Sequence, residues 1–318
     1  MVSTPFFTRL AMSFETCKKI WMNGKIIDWA DAKIHVMSHV VHYGTGVFEG
    51  MRCYNTVRGP AVFRLDAHLR RLFDSAKAYL MEIPYTREEL SAAVFDIIKA
   101  NEFKDCYIRP IVYFGYKSLG VHPRECPIDV ALGVWPWGAY LGEGGLEKGI
   151  RVTISPWTKY HSSMLPTVAK ACGQYLNSYL SVREATNKGF QEAILLDREG
   201  DISEGSGENV FIVRGGRIYT NDPSSSILLG ITRGSVIQIS KDLGYDVTIR
   251  KLSRGELFIS DEIFFTGTAA EVTPVVDVDL RKVGDGKRGP ITKKIQDRFF
   301  EIIQGKRPEY DNWLFFVK

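Results

Sequence analysis

Lys170 lies in Leu165-Pro166-Thr167-Val168-Ala169-Lys170-Ala171-Cys172-Gly173-Gln174-Tyr175, between a proline turn and an apolar helix. An amine placed there can be desolvated, which disfavours the ammonium and frees the lone pair that a Schiff-base lysine needs. One lysine among 41 Lys and Arg residues carries little weight, because most of them must be solvated surface charges. Three later segments give it weight. Ser203-Glu204-Gly205-Ser206-Gly207-Glu208-Asn209 sets a carboxylate in an acidic, glycine-rich turn. Leu229-Gly230-Ile231-Thr232-Arg233 enters a helix at Thr232, where unpaired backbone amides and a hydroxyl suit a dianion. Thr266-Gly267-Thr268-Ala269-Ala270-Glu271 follows a buried strand and offers a second set of amides, and Arg71, on an earlier helix, is a third partner for an anion.

Each feature alone has an ordinary explanation: an N-cap, a strand-end turn, a surface arginine, a polar hairpin loop. Together they supply an amine, two phosphate cradles and a carboxylate able to keep a pyridine nitrogen protonated. A pyridoxal-phosphate site requires this equipment. Gly205-x-Gly207 is not a dinucleotide fingerprint, since the third glycine is missing and a β-rich run follows it.

The elements that must position these residues fall into two expected units. In residues 20–137, Asn23-Gly24 joins two short strands as a hairpin, and Phe48–Tyr54, Ala61–Arg64, Cys106–Tyr116 and Ile128–Trp135 read as further strands. Asp66 is expected to cap a helix carrying Leu69, Leu72, Phe73, Ala76 and Leu80; Thr86 and Glu89 form a capping box before a second helix. Residues 138–148, with glycines at 138, 142, 144 and 145, read as a linker. Residues 149–318 form the larger, cofactor-binding unit. It has strands at Gly149–Ile154, Gln191–Asp197, Asn209–Val213, Arg217–Thr220, Val247–Arg250 and Glu262–Thr266, and helices ending near Asn187, Leu243 and Ile303. Residues 1–19 are a loose extension.

Composition narrows the class. The chain has 318 residues, 45% hydrophobic and 25% charged, the mixture of a soluble globular protein long enough for two domains. A net charge of +4 with dispersed basic residues argues against nucleic acid, and no apolar stretch reaches the length of a membrane span. Five scattered cysteines without a CxxC pair fit a reduced, cytoplasmic protein with no zinc site, and His39 and His42 are read as packing residues near a turn.

The order and wording of the segments resemble the branched-chain amino-acid aminotransferases of the fold-type-IV pyridoxal-phosphate enzymes. The resemblance rests on His42–Arg52, Tyr107-Ile108-Arg109-Pro110, Trp135–Tyr140, Ala169-Lys170-Ala171 with Tyr175, Ile202–Asn209, Gly230–Arg233 and Gly267–Glu271, and runs from about Trp21 to the last helix. It implies an α+β chain with a small N-terminal domain and a larger, β-barrel-like C-terminal domain with surrounding helices. It implies that pyridoxal 5′-phosphate joins Lys170 and that Lys170 then carries the proton between substrate Cα and cofactor C4′. It places Glu204 at the pyridine nitrogen, Tyr175 at the phenolic oxygen, and Arg71, Ile231, Thr232 and Thr268 at the phosphate, with Asn209 and Leu228 also beside the cofactor. Thr268 and Ala269 would receive the α-carboxylate, helped by Tyr107. Tyr43, Phe48, Val121, Trp137 and Tyr140 would wall the side-chain pocket, some of them from the partner subunit of a dimer or an assembly of dimers. Arg52 would join the substrate set, and Arg109 would take the distal carboxylate of glutamate. The implied reaction moves the amino group of leucine, isoleucine or valine to 2-oxoglutarate. Neighbouring activities are D-amino-acid transamination and aminodeoxychorismate cleavage; a non-catalytic pyridoxal-phosphate-binding protein is the alternative of another class.

Overall fold

Two sheets frame the computed structural model, which describes residues 17–138 and 144–317. Most of the expected extension, and the middle of the expected linker with Tyr140, lie outside the described residues. The first sheet runs in the order Leu314–Phe316, Gly59–Phe63, Met51–Thr56, Cys106–Phe114, Ile128–Trp135, Lys19–Met22, Lys25–Asp28, with Gly46–Phe48 also paired to Cys106–Phe114. Its pairings are antiparallel, and the Asn23-Gly24 hairpin closes as expected, both residues adopting positive φ (47° and 85°). One face of this sheet is covered by the helices Leu65–Ala78 and Arg87–Ala100. Leu65, Leu69, Leu72, Leu90, Val94 and Ile97 from those helices pack against Met51, Ile108, Val130 and Leu132. The second helix starts at the Thr86/Glu89 capping box.

The second sheet runs Ile202–Gly205, Glu192–Leu196, Ile150–Ile154, Glu271–Val278, Glu262–Gly267, Asn209–Arg214, Arg217–Thr220, Val247–Ile249. It is buried on both faces. Along Asn209–Arg214, Val210 and Ile212 pack with Val152, Ile194 and Phe265. Phe211 and Val213 point the other way, toward Val236 and Ile239 of the helix Ile231–Asp242 and Phe299 and Ile302 of the helix Pro290–Ile303. Alternate burial on two faces is why this strand reads as one apolar run. Tyr54, Ala61 and Phe63 of the first sheet share that second core, and Leu314–Phe316 at the chain's end pairs with Gly59–Phe63. The two units are therefore stitched together by packing and by a returning strand.

Four expectations change. The single strand expected at Phe48–Tyr54 is two, broken at Glu49-Gly50, because the Glu49 side chain is drawn into a buried ion cluster. Arg64, in the left-handed conformation (φ 53°), caps the helix Leu65–Ala78, and Asp66 lies inside its first turn. Glu204 sits on a strand, Ile202–Gly205, not within the turn that follows. Glu271–Val278 is a central strand despite Pro274, a residue that usually marks an edge. His39 bonds Thr45 Oγ1 and Gly120 O, both at 2.7 Å. Among the described residues no helix is long and apolar enough to cross a membrane.

Candidate active site

Lys170 reaches the seam between the sheets on a backbone held from both sides. Its N–H donates to Ser75 Oγ at 3.0 Å, and its carbonyl accepts from the Phe48 N–H at 3.0 Å. The neighbouring Ala171 forms a bridge with Val47. The amine then projects into a cavity of about 280 Å³ and donates to the Tyr175 hydroxyl at 2.5 Å. Burial, and next the Arg71 charge, push the Lys170 amine down to about 8, so a useful fraction is neutral near pH 7. Burial also pushes Tyr175 up to about 12, keeping its hydroxyl protonated.

Glu204 lies on the second sheet with its carboxylate held by three donors. Lys159 Nζ is 2.7 Å from Oε1, while the Leu228 N–H and Asn209 Nδ2 reach Oε2 at 3.0 and 3.2 Å. Asn209 is itself fixed by donating to Leu228 O at 2.8 Å. Gly230 is required beside it, since a Cβ there would lie 2.2 Å from Asn209 Oδ1. Gly230 caps the helix Ile231–Asp242, and Ile231 and Thr232 of the first turn line the cavity. The N–H groups of a first helical turn have no intrahelical acceptor, so this end of the cavity suits an anion.

Arg71 stands across from that helix. It grips Glu49 through Nε–Oε1 (2.5 Å) and Nη2–Oε2 (2.9 Å), and Nη1 donates to Leu229 O at 3.0 Å. Three of its five N–H groups are used; two remain for a ligand. His68 Nδ1 also bonds Glu49, at 2.7 Å. Burial opposes ionisation of Glu49, but Arg71 and then His68 outweigh it and hold the carboxyl well below the usual carboxylate range. Burial likewise lowers His68 and keeps it neutral as a donor.

The remaining wall is aromatic. Tyr107 stacks on Trp137 with ring centroids 4.3 Å apart, and Phe48 packs against Tyr175 at 4.8 Å. The Arg109 guanidinium lies 4.7 Å from the Phe48 ring and 5.3 Å from Tyr107, and donates to the Tyr107 hydroxyl at 3.3 Å. Arg109 makes no ion pair among the described residues, and its buried Nε has no hydrogen-bond partner there. Gly50 admits the Tyr107 ring, because a Cβ at 50 would fall 1.9 Å from its hydroxyl. Thr268 and Ala269, in the turn after Glu262–Gly267, close the cavity.

The cavity thus brings together Phe48, Arg71, Tyr107, Arg109, Trp137, Lys170, Tyr175, Glu204, Asn209, Leu228, Ile231, Thr232, Thr268 and Ala269. Three expected residues do not line it. Arg52 is spent in ion pairs with Glu271 (3.1 Å) and Asp105 (3.3 Å) on the far side of the Thr268–Ala270 turn. Tyr43 and Val121 are exposed, Val121 at 85%, and stand outside this chain's own cavity. Glu49, His68 and Lys159 were absent from the expected set. Glu49 had a signal, a charged residue inside an apolar strand-like run, and His68 lies one helical turn before Arg71; nothing local distinguishes Lys159.

These residues fit pyridoxal phosphate. A buried amine of lowered basicity, a fixed carboxylate, two free donors on Arg71 and an open helix N-terminus surround one cavity, and Thr266 Oγ1 in its wall is buried without a partner. Fold and site together define a pyridoxal-phosphate enzyme of fold type IV, and residues 46–278 match the family described as amino-transferase class IV. The branched-chain-amino-acid aminotransferase of Pseudomonas aeruginosa is 44% identical over 299 residues, covering 94% of this chain and 97% of the relative. The crystal structure of the Escherichia coli branched-chain amino acid aminotransferase superposes with a TM-score of 0.93 at 46% identity, covering 95% of this chain and 100% of that one. A thermophile (T.th.) enzyme of the same name, complexed with N-(5′-phosphopyridoxyl)-L-glutamate, gives 0.91 at 46% identity over 95% of this chain and 99% of that one. The chain belongs to the branched-chain-amino-acid aminotransferases of class IV.

Proposed function

We propose that this chain transfers the amino group of leucine, isoleucine or valine to 2-oxoglutarate, giving the branched-chain 2-oxo acids and L-glutamate, with pyridoxal 5′-phosphate as cofactor. The observation that carries the reading is a single cavity in which a buried amine faces an aromatic box closed by an arginine without a carboxylate partner. An aliphatic side chain uses the aromatic walls; a γ-carboxylate reaches past them to Arg109. One pocket then serves both half-reactions. The T.th. relative, whose ligand joins a phosphopyridoxyl group to L-glutamate, supports both the cofactor and the second substrate.

When bound, the cofactor supplies an electron sink for the pair left when Cα loses its proton. The protein does the rest. Arg71, Thr232, Thr268 and the amides at Ile231 and Thr232 hold the phosphate. Glu204, ionised and fixed by Lys159, Asn209 and Leu228, keeps the proton on the ring nitrogen. Tyr175 donates to the phenolic oxygen. The Lys170 amine takes the proton from Cα and returns it at C4′. Thr268 and Ala269 amides and the Tyr107 hydroxyl orient the α-carboxylate, while Phe48 and Trp137 exclude water.

The working unit is a homo-oligomer built on dimers, in which the exposed Tyr43 and Val121 complete a partner's pocket. Its compartment is the cytoplasm, consistent with five free cysteines. The test is a half-reaction screen of the holoenzyme with L-leucine, L-glutamate and D-alanine, following conversion of the cofactor's aldehyde form to its amine form. L-Leucine and L-glutamate should both convert it; conversion by D-alanine alone would replace this reading.

A further inference from the structure

The turn that closes the substrate end of the cavity is built on an unfavourable backbone. Gly267 and Glu271 are paired across a hairpin whose loop is Thr268-Ala269-Ala270. A three-residue hairpin loop needs a left-handed residue at its end, a position that glycine fills most readily. Here it is Glu271, with φ 54°. Its side chain is buried and captured: Arg52 Nη1 donates to Oε1 at 3.1 Å and the Tyr54 hydroxyl donates to the same oxygen at 3.0 Å. Asp105 orients Arg52 from the other side at 3.3 Å, and Arg52 lies over the Tyr54 ring at 4.7 Å.

The captors belong to the first sheet and the captive to the second. Arg52 is directly opposite Tyr107 in the ladder, so both project from one face of the first sheet. The same strand pair that carries the Tyr107 wall thus also grips the turn bearing the Thr268 and Ala269 amides. The gap between those amides and Tyr107 is where an α-carboxylate must fit.

Resting on the proposed transamination, we propose that Glu271, held by Arg52 and Tyr54, is a positioning residue for the substrate α-carboxylate: a clamp between the sheets that fixes the Thr268–Ala269 amides against the Tyr107 wall. It touches neither substrate nor cofactor. Every amino acid and 2-oxo acid the enzyme accepts carries the α-carboxylate, so loosening the clamp must weaken all of them alike.

The test compares Glu271→Gly, Glu271→Gln and Tyr54→Phe holoenzymes with wild type in both half-reactions. Glu271→Gly suits the left-handed backbone and so isolates the clamp from folding. It should raise KM for leucine and for glutamate by the same factor, about tenfold or more, since small displacements of orienting groups carry penalties of that order. kcat, cofactor content and Tm should stay near wild type. Glu271→Gln keeps an acceptor for Arg52 and Tyr54 and should restore KM to within about threefold, with Tyr54→Phe intermediate. A direct readout is the dissociation constant of 4-methylpentanoate, an acid with no amino group to react, which should rise in parallel with KM. Wild-type KM and 4-methylpentanoate affinity in Glu271→Gly would overturn the clamp. So would a loss confined to glutamate, or one that tracks lost cofactor or a lowered Tm. Failure of the wild-type enzyme to react with leucine would instead overturn the transamination reading, so the two failures are distinct.

Discussion

The two ends of the cavity treat charge differently. At the cofactor end each charged side chain already has a protein partner: Glu204 has Lys159, and Arg71 has Glu49. At the substrate end Arg109 is packed among Phe48, Tyr107 and Trp135, and no carboxylate meets it among the described residues. A cofactor that stays through every turnover can meet groups locked in one geometry. Two substrates that alternate, one apolar and one anionic, need a charge that the apolar one can leave alone. Arg109 satisfies this because aromatic faces hold its guanidinium without neutralising it.

The largest effect expected on the cofactor side comes from Lys170→Ala. Phosphate-held cofactor should still bind, but transamination should fall at least about ten-thousandfold, since both proton transfers lose their base. Borohydride labelling at another lysine, or an active Lys170→Ala enzyme, would break the assignment. Glu204→Gln is next. It keeps size and the Asn209 and Leu228 contacts but removes the charge opposite Lys159. Single-turnover reaction with α-deuterated leucine should slow about a hundredfold, or about 2.7 kcal/mol, with an undiminished isotope effect. A wild-type rate with cofactor fully bound would mean that another acid serves the ring.

A smaller effect concerns pH. With Lys170 at about 8, covalent capture of pyridoxal phosphate by the apoenzyme should speed up as pH rises through 8 and then level off. The sign for stability is the same. The folded value lies below the free value of 10.5, so between about 8 and 10.5 the unfolded chain binds more protons and the apoprotein gains stability with rising pH. Glu49 supports the Lys170 ammonium, so Glu49→Gln should shift the capture midpoint downward from about 8. An unchanged or raised midpoint in a rate–pH series would sever the Arg71–Glu49 cluster from Lys170.

Much of this was legible in the sequence because the signals were local. The Asn23-Gly24 hairpin, the Thr86/Glu89 box and the helix entry at Gly230-Ile231 each depend on a few adjacent residues. Lys170, Glu204 and Tyr175 could be read from motif order. The errors share a cause in tertiary capture. Arg52 belongs to a motif beside the site, yet Glu271, 219 residues away, takes its guanidinium. Glu49 breaks its strand because Arg71 and His68 pull its carboxylate under the helix. Lys159 has only its contact with Glu204 to mark it, a pairing across 45 residues of chain that no local pattern announces.

The central claim is that one cavity serves an apolar and an anionic substrate because Arg109 meets only the second. Arg109→Ala holoenzyme, mixed separately with L-leucine and L-glutamate in single half-reactions, tests it most directly. The account expects kcat/KM for glutamate to fall by about 2–5 kcal/mol, the usual cost of truncating one partner of a desolvated charge pair, while leucine loses less than about tenfold. Equal losses for the two amino acids would contradict it and make Arg109 a packing residue of the aromatic wall.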